Sequence, residues 1–518
     1  MFKLIFRVSR FVHKYLGLIA LVYFLGMGVS GILLNHPALL QKFSLPLGWL
    51  SDSFQYRAWN RWSLRDAVFS EQQPEKVYVA GKEGVWMSCN AGRSFTPAST
   101  GLPESAYLRD TNCLLLVENH VPTRLFAGTK DGLYYCSPDE LRWQTVLNPH
   151  LQQTEIVDLL QIDQEIFVFT ETGCFVAPLS PGAPVFEARD LKTPPGFKPR
   201  APFFRFLLKL HDGSLFGPTG RLIADIIGLV LIFLSLSAFY LWYVPWRRRM
   251  REYRKPRYYK FLYRYHLKLG IYASLLLAIC ALTGIFLRPP FLMAIARLQT
   301  PELLQSTNLI AENRLGRIHQ AAWLKANNKL YLATENGLFS GSPNADSPFA
   351  AVDTSRLSIH GMGATVLEPL ADDSLLIGSF SGLAKWHPET GIVTNLVTDK
   401  TTQPRHSGGA MVAAAVINNG TPKFWCDYRR GMRPFPGESS AATEMQAGDF
   451  ASSFTMPEKI SKKSRISLWH FFFEFHNGRI FQDLFGRYTW LIAPLGGLAL
   501  LIVTLSGVYD WFYRRVLH

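Results

Sequence analysis

The sequence predicts a membrane α-helical bundle of four transmembrane helices, in two tandem two-helix units, plus an all-β, propeller-like periplasmic domain. Three observations lead to this fold class. The composition, 48% hydrophobic and 18% charged, is typical of a chain that is partly membrane-embedded and partly soluble. Four apolar runs are each about 20 residues or longer, which is enough to cross a hydrocarbon core about 30 Å thick. Between these runs, strand-turn-strand patterns with a glycine in the turn recur.

The four apolar runs are the predicted membrane spans: Val12 to Leu34, Gly220 to Val244, Leu267 to Leu287 and Trp490 to Trp511. The chain has a net charge of +15, and basic clusters lie directly beside the runs. These clusters are Lys3, Arg7, Arg10 and Lys14; Arg247, Arg248, Arg249, Arg251, Arg254, Lys255 and Arg257; and Arg514 and Arg515. By the positive-inside rule all three clusters are cytoplasmic. A nucleic-acid-binding protein would instead gather its positive charge on one face, so we expect no nucleic-acid partner.

The spans place both termini in the cytoplasm and two large segments in the periplasm of a bacterial cell, with the chain in the inner membrane and in contact with lipid. The predicted order is transmembrane helix 1 (1–37), a periplasmic β segment (38–200), transmembrane helix 2 with its periplasmic lead-in (201–246), a basic cytoplasmic loop (247–263), transmembrane helix 3 (264–290), a second periplasmic β segment (291–465), and transmembrane helix 4 with its lead-in and a short cytoplasmic tail (466–518).

Two tandem copies of one unit make up the chain. HKYLGLIALVYFLGMGVSGILL from His13 aligns without gaps with HLKLGIYASLLLAICALTGIFL from His266. LHDGSLFGPTGR around His211 matches FHNGRIFQDLFGR around His476 with one insertion, and SAFYLW matches SGVYDW at the ends of spans two and four. Each copy is a span, an external segment and a second span. Because both copies enter the membrane from the cytoplasm, equivalent positions should lie at equivalent depths.

The duplication pairs four histidines at two depths. His13 and His266 begin spans one and three near the inner face, while His211 and His476 precede spans two and four near the outer face. Imidazole is a good axial ligand for haem iron, and an ionisable side chain is costly in a bilayer unless it has a function. We therefore expect two b-type haems in series, one for each pair, in a four-helix bundle. The alternative is that the histidines are interfacial anchors.

Three further residues are candidate cofactor contacts. His36 ends the first span, but the second copy has Pro289 at that position, so His36 could replace an outer ligand or contact a propionate or a substrate. Arg221 and Arg487 open spans two and four, where an arginine could bind a haem propionate bidentately. The alternative for the two arginines is that they snorkel toward the interface.

The first span also contains the pattern G-x-G-x-x-G, at Gly26, Gly28 and Gly31. In a dinucleotide-binding protein this pattern follows a strand and opens a helix. Here it lies in the middle of a predicted span, so we interpret the glycines as small residues that let a neighbouring helix, or a flat macrocycle, approach the backbone closely.

The external segments carry a repeat of their own. VYVAGKEGVWMS, LFAGTKDGLYYC and IFVFTETGCFVA recur in the first segment, and LYLATENGLFSG and LLIGSFSGLAKW in the second. Each is a hairpin pattern, and spacings of about 40 to 50 residues are those of propeller blades. A less regular unit, PKFWCDYRRG near Cys426, is a further candidate blade. About three blades per segment could close one propeller of six to eight blades, and two separate open β-domains are the alternative.

The span motifs resemble a known family. HKYLGL with SGILLNH, followed by LHDGSLFGPTGR and a span ending in YLW, is similar to the PepSY-associated transmembrane helix family, which includes membrane ferric-siderophore reductases that bind haem b. The resemblance covers the four spans and their flanks. It implies electron transfer across the inner membrane to an extracytoplasmic acceptor, with the histidines at 13, 211, 266 and 476 as the haem ligands.

The expected function is therefore that of a di-haem b membrane oxidoreductase that passes electrons to a periplasmic acceptor, with a ferric siderophore or another metal complex as the leading candidate. The sequence carries no Rossmann, flavin or P-loop motif, so the electrons would come from a quinol or from a membrane or cytoplasmic protein. The alternative is a non-redox receptor, scaffold or assembly factor whose spans only anchor its propeller.

Overall fold

The computed structural model describes residues 2–199, 201–248, 257–295, 298–305, 309, 315–357, 359, 363–397, 410–435 and 454–517. The chain divides into two compact units. The membrane unit comprises Met1–Leu40, Ala201–Leu309 and Leu468–His518, and the β unit comprises Gln41–Arg200 and Ile310–Ser467. In the basic loop, Arg249, Arg251, Arg254 and Lys255 lie outside the described residues.

The helices of the membrane unit follow the order of the two copies. They are α1 (Phe2–Ile19), α2 (Leu21–Asn35), α3 (Pro37–Leu40), α4 (Phe203–His211), α5 (Gly217–Arg248), α6 (Arg257–Tyr272), α7 (Ser274–Phe286), α8 (Phe291–Ile295), α9 (Leu468–His476), α10 (Gln482–Phe485) and α11 (Ile492–Phe512).

Two stretches of the described chain are long and apolar enough to cross a membrane by themselves, Ser214–Arg247 and Arg479–Arg515. They contain the predicted second and fourth spans. The predicted first and third spans are each broken into two helices, with angles of 63° between α1 and α2 and 61° between α6 and α7. The total is therefore four spans only if each bent pair crosses as one.

Both bends fall at the same position of the repeat. The breaks lie at Ala20 and Ala273, and Gly17 and Gly270 precede them by three residues. Glycine lowers the helical preference of the backbone, which makes a bend less costly there. The bends change the packing partner of each helix: α2 packs on α5 and α7 on α11, within one copy, whereas α1 packs on α11 and α6 on α5, across the copies.

The core of the membrane unit is apolar and closely packed. Phe24, Leu231 and Leu277 are buried together at its centre. A Cβ atom added at Gly28 would lie 3.0 Å from the carbonyl oxygen of Gly228 in α5. The close crossing of α2 and α5 therefore agrees with the helix-packing interpretation of the glycine pattern.

The residues that follow α8 group with the membrane unit, whose middle segment ends at Leu309. The second external segment is predicted to begin at residue 291, and this boundary stays a prediction. The backbone N–H of Phe203 donates to the carbonyl of Leu298, and that of Thr300 donates to the carbonyl of Ala201. These hydrogen bonds join the residues after α8 to the lead-in of α4, which keeps them in the membrane unit.

The described residues of the β unit form six small antiparallel sheets and one strand pair. The sheets, each in simple sequential order, are β2 (Asp66–Phe69), β3 (Val77–Gly81), β4 (Gly84–Ser88) and β5 (Thr96–Pro97); β6 (Thr111–Val117), β7 (Arg124–Thr129), β8 (Gly132–Cys136) and β9 (Gln144–Thr145); β10 (Ile156–Ile162), β11 (Glu165–Thr170), β12 (Cys174–Pro178) and β13 (Glu187–Arg189); β14 (Ile318–Leu324), β15 (Lys329–Thr334), β16 (Gly337–Gly341) and β17 (Ala350–Ala351); β18 (Val366–Pro369), β19 (Leu375–Ser379), β20 (Gly382–Trp386) and β21 (Val393–Val397); and β22 (Val412–Asn418), β23 (Thr421–Asp427) and β24 (Gly431–Pro434).

The five predicted hairpins are confirmed as the second and third strands of the first five sheets. The irregular unit near Cys426 forms the sixth sheet, in which β23 pairs with both β22 and β24. Short polar loops with glycine at positive φ, as at Gly132 and Gly382, allow these tight turns because glycine has no Cβ to clash.

Apolar clusters join each sheet to the next. Leu114 of the second sheet packs with Tyr78 of the first, and four similar clusters connect the second to the sixth. A sixth cluster holds Val79 of the first sheet against Val416 of the last. The first strands of successive sheets also contact one another, and β22 contacts β2.

The two ends of the β unit meet in a separate strand pair. β1 (Ser44–Pro46) pairs antiparallel with β25 (Arg465–Ser467), with Leu45 opposite Ile466. These are the points where the chain enters the β unit after α3 and leaves it before α9. Backbone hydrogen bonds therefore join the first and last described strands of the β unit.

Candidate functional site

The membrane unit brings the four predicted histidines together as two pairs. His13 of α1 faces His266 of α6, with ring centroids 6.4 Å apart and ring planes at 88°. His211, the last residue of α4, faces His476, the last residue of α9, at 6.1 Å and 70°. Each pair takes one ring from each copy of the repeat, as the duplication predicts.

In the His13–His266 pair, Nδ1 of each ring is bound by the other copy. His13 Nδ1 lies 2.9 Å from the carbonyl oxygen of Val503, and a carbonyl can only accept, so this nitrogen carries the proton. His266 Nδ1 lies 2.8 Å from Ser237 Oγ. That hydroxyl donates its own hydrogen to the carbonyl of Leu234, so it accepts from His266. In the neutral form of both rings, Nε2 therefore holds a lone pair.

The His211–His476 pair repeats this arrangement. His211 Nδ1 lies 3.1 Å from the carbonyl oxygen of Cys280 and 2.9 Å from Thr283 Oγ1. His476 Nδ1 lies 2.8 Å from Ser30 Oγ, and Ser30 donates to the carbonyl of Gly26. Each ring is again held as the Nδ1–H form. Within the described chain, Nε2 of these two rings makes no hydrogen bond.

The residues that orient the rings occupy equivalent positions of the repeat. Ser30 matches Thr283, and Ser237 matches Ser506, whose Oγ lies 3.4 Å from His13 Nδ1. Sequence reasoning used these residues only to align the copies. Their signal was the recurrence of a hydroxyl at the same place in two otherwise apolar spans. Cys280 also contributes its backbone carbonyl, to His211 Nδ1.

A glycine next to the ring gives each outer histidine its space. A Cβ atom at Gly284 would lie 3.2 Å from His211 Cε1, and one at Gly31 would lie 3.6 Å from His476 Cε1. These glycines follow Thr283 and Ser30, so the same turn of helix supplies both the hydrogen bond and the room for the imidazole.

His36 lies in a different environment. Its Nε2 is 2.8 Å from Asp225 Oδ2, and its side chain is 46% exposed. Asn35 donates to the other oxygen of Asp225 and to the backbone carbonyl of Asp212. The structure thus places His36 in a hydrogen bond with Asp225 of α5 and, among the described residues, does not bring it to another imidazole.

The two arginines predicted to contact the cofactor are both exposed. Arg487 donates from Nη2 to the hydroxyl of Tyr488 at 2.8 Å, and its guanidinium lies over that ring. Arg221, at the start of α5, is exposed among apolar residues such as Leu222. Both placements agree with snorkelling. Among the described residues, neither guanidinium contacts a histidine of the two pairs.

The β unit contains a polar cavity of about 240 Å³. The first strands of the first five sheets each contribute a polar side chain to its lining: Asp66, Asn112, Asp158, Gln320 and Glu368. Burial raises the pKa of Asp66 to about 6 and that of Asp158 to about 7. Asp66 accepts from the backbone N–H of Leu114 and Asp158 from that of Ala321, so both aspartates also connect neighbouring sheets.

Metal-binding clusters were sought across the described residues. No group of three or more His, Cys, Asp or Glu side chains there is placed to hold a metal ion. All six cysteines, which fall within the described ranges, are unpaired. The paired imidazoles are therefore the chain's strongest candidate for a cofactor site.

Comparison with known proteins gives one family and several weak structural likenesses. The chain is similar to the extracellular domain of the BT4673 two-component system of B. thetaiotaomicron, with 11% identity, a TM-score of 0.37, and coverage of 71% of this chain but only 32% of that one. It is also similar to YCF48 of Cyanidioschyzon merolae, with 11% identity, a TM-score of 0.33, and coverage of 72% of this chain and 94% of that one. These low scores assign no activity.

No curated protein matches the chain. A family model does: the PepSY-associated TM region matches residues 173–514, which is more than half of the sequence. The match begins in the third sheet of the β unit and includes α4 to α11 with three of the four paired histidines. The chain therefore belongs to the PepSY-associated TM region family.

Proposed function

We propose that this chain is a di-haem b electron-transfer protein of the bacterial inner membrane, which passes electrons to a periplasmic acceptor. One observation carries the proposal. Two imidazole pairs lie within the membrane unit, and in each pair both Nδ1–H groups are bonded while both Nε2 atoms keep a lone pair.

The residues fit a haem at each pair. A bond between a transition metal and an imidazole nitrogen is about 2 Å long, so two imidazoles on opposite sides of one metal ion have centroids roughly 6 Å apart. The two pairs have centroid separations of 6.4 and 6.1 Å. Metal-bound histidines usually donate their other ring N–H to a carbonyl or a similar acceptor, as all four do here. Two axial nitrogens complete the coordination of an iron whose other four ligands come from a porphyrin.

A bound haem would supply a centre that accepts and releases one electron without making or breaking bonds in the protein. The chain's own residues set the conditions for that centre. The hydroxyls and carbonyls from the opposite copy hold each ring in one tautomer and one orientation. Phe24 and Leu277, at equivalent positions between the two histidine levels, are buried, and they exclude water from the path between the pairs.

The proposal includes a membrane topology. We assign four spans, with each bent helix pair crossing once, both termini in the cytoplasm, and the β unit in the periplasm as a closed six-bladed propeller. The basic clusters beside the spans support the orientation. The six apolar clusters, including the one between the last and first sheets, support closure of the ring.

The electron donor and acceptor follow from chemistry rather than from a bound ligand. A membrane quinol is the donor that a bundle immersed in lipid can reach, and a membrane or cytoplasmic protein is the other candidate. The acceptor is a ferric siderophore or another periplasmic metal complex. The resemblance of the span motifs to haem-binding reductases supports this choice.

A visible spectrum of the purified full-length protein tests the proposal. We expect a dithionite-reduced minus oxidised spectrum with the Soret and α bands of six-coordinate haem b, and two haems per chain by extraction. A folded, membrane-derived protein that carries no haem, and takes none up from added haemin, would overturn the proposal in favour of the receptor or scaffold alternative.

Replacing His36 by alanine should leave the haem content at two per chain. The reason is that Nε2 of His36 is hydrogen-bonded to Asp225, so this nitrogen is not available as a ligand unless that hydrogen bond breaks. Haem extraction and the α-band position of the variant check this outcome. Loss of one haem would show instead that His36 replaces an outer ligand.

A further inference from the structure

Arg288 is a charged residue of the membrane unit with a buried N–H that lacks an acceptor among the described residues. It follows the C-terminal end of α7 and is partly buried. Its Nε is buried and makes no hydrogen bond within the described residues. A guanidinium with a buried donor and no partner is costly, because the lost hydration is not replaced.

Among the described residues, positive side chains outnumber negative ones around Arg288. Its charged neighbours there are Arg479 and Glu474. The Glu474 carboxylate, which is 8% exposed, already pairs with Arg479 at 2.7 Å between Oε2 and Nε. A guanidinium with a buried N–H that has no acceptor is a good donor to an anionic group.

The three residues of this charged cluster are close in sequence to those that form the His211–His476 pair. Arg288 comes four residues after Gly284, which abuts the His211 ring. Glu474 precedes His476 by two residues, and Arg479 follows it by three. The segments around α7 and α9, which contact or carry the outer imidazoles, therefore also carry these charged residues.

The first copy does not reproduce this cluster. Asn35 stands at the position equivalent to Arg288, and its amide is fully used by Asp225 and by the carbonyl of Asp212. Ser214 corresponds to Arg479. If the two copies were identical, both would carry the same charges here. Because Arg288 and Arg479 occur only in the second copy, an anionic group is expected to bind on the side of that copy.

We propose that Arg288, with Arg479 beside it, binds a propionate carboxylate of the haem held by His211 and His476. The inference rests on the proposed function, since it needs a haem at that pair. A guanidinium presents two parallel N–H donors that match a carboxylate. This role replaces the one predicted for Arg221 and Arg487, whose guanidiniums are exposed.

The inference has two measurable consequences. A charge-assisted hydrogen bond contributes enough that its loss should speed haem release about ten- to a hundredfold. A nearby positive charge also favours the reduced haem, which carries one positive charge less at its iron. Removing the guanidinium should therefore lower the midpoint potential of the haem at this pair and leave the other haem unchanged.

The experiment uses the full-length protein in a His266→Ala background, in which only the haem of the outer pair should remain. Haem transfer to apomyoglobin and a redox titration are compared for Arg288→Gln, Arg288→Lys and the matched controls Arg221→Gln and Arg487→Gln. We expect faster release and a lower potential only for Arg288→Gln, with most of both effects restored by lysine.

Reconstitution with haem dimethyl ester separates a specific contact from a general loss of stability. The ester removes the carboxylate charge, so it should leave the Arg288-containing protein faster than haem does, and this difference should vanish in Arg288→Gln. If that variant fails to fold, the comparison of ester and haem in the arginine-containing protein decides. Equal release rates for ester and haem, or equal behaviour of Arg288→Gln and the controls, would overturn the inference. A chain without any haem would instead overturn the proposed function.

Discussion

Replacing His266 by alanine should remove about half of the haem from the purified protein while the chain remains in the membrane. His266 is one of two rings 6.4 Å apart, and its loss leaves His13 as the single ligand of that pair. A haem at that pair would then have one protein ligand instead of two, which weakens its binding. The measurement is the haem-to-protein ratio by extraction, together with the reduced-minus-oxidised spectrum of the remaining haem.

His36→Ala is the matched control for this variant, because it also removes an imidazole from the membrane unit but one that pairs with Asp225. The double variant His266→Ala with His476→Ala should lose all haem, because each pair then lacks one ligand. An unchanged haem content in His266→Ala would show that the pair with His13 is structural, and the two-haem account would not stand.

Replacing Arg65 by methionine should destabilise the β unit by about 3–5 kcal/mol, because it leaves the Asp110 carboxylate buried without its main partner. Arg65 binds Asp110 bidentately, with Nε to Oδ1 and Nη2 to Oδ2 both at 3.0 Å, and the aspartate is 1% exposed. Urea unfolding of the full chain in detergent, followed by tryptophan fluorescence, measures the change.

Lys462→Met is the control for that experiment. Lys462 pairs with Glu458 at 2.9 Å, but both side chains are largely exposed, so water already solvates the charges and the midpoint of unfolding should not move. A midpoint for Arg65→Met equal to that of the control would show that the buried pair contributes nothing net to stability.

The Arg65 effect should also depend on pH. Burial alone would raise the pKa of Asp110, but Arg65, Lys130 and Lys82 together lower it to about 2. A carboxylate whose pKa is lower in the folded state stabilises the protein above its unfolded pKa, and this contribution is lost as the pH falls toward the folded value. The stability difference between the parent protein and Arg65→Met should therefore shrink between about pH 4 and pH 2.

Much of the site could be predicted because the apolar spans of the two copies align in sequence. His13 and His266 begin matching runs, and His211 and His476 stand in matching lead-ins. A repeat that enters the membrane twice in the same direction must place equivalent residues at equivalent depths. The pairing of the rings follows from that symmetry once the two copies pack together.

The hairpins of the β unit were predictable for a similar reason. A turn glycine between two apolar strands is a local pattern that depends on backbone sterics within about ten residues. The sheet that contains Cys426 was the least regular in sequence, and three of its strands lie within the described residues. The contact between the sixth sheet and the first involves residues far apart in the chain, so no local pattern indicates it.

The bends at Ala20 and Ala273 could not be predicted from hydropathy. An apolar run has the same composition whether its helix is straight or broken, and each bend follows from which helix packs beside each half. The placement of Arg288 was equally hidden. In the sequence, Arg288 is simply an arginine at the end of a span, where snorkelling is the common explanation. Arg221 and Arg487 were the arginines predicted to bind a propionate, and both are exposed.

The sequence by itself determined which segments are apolar enough for the membrane, that the chain is a tandem repeat, and which four histidines are equivalent by pairs. Those features follow from local composition and spacing. Only the tertiary structure decided that each ring is oriented by the opposite copy, that His36 contacts Asp225, and that the buried Nε of Arg288 has no hydrogen-bond partner among the described residues. Hydrogen bonds and charge balance depend on which side chains meet in space, and packing across the two copies brings together residues that are up to about five hundred positions apart.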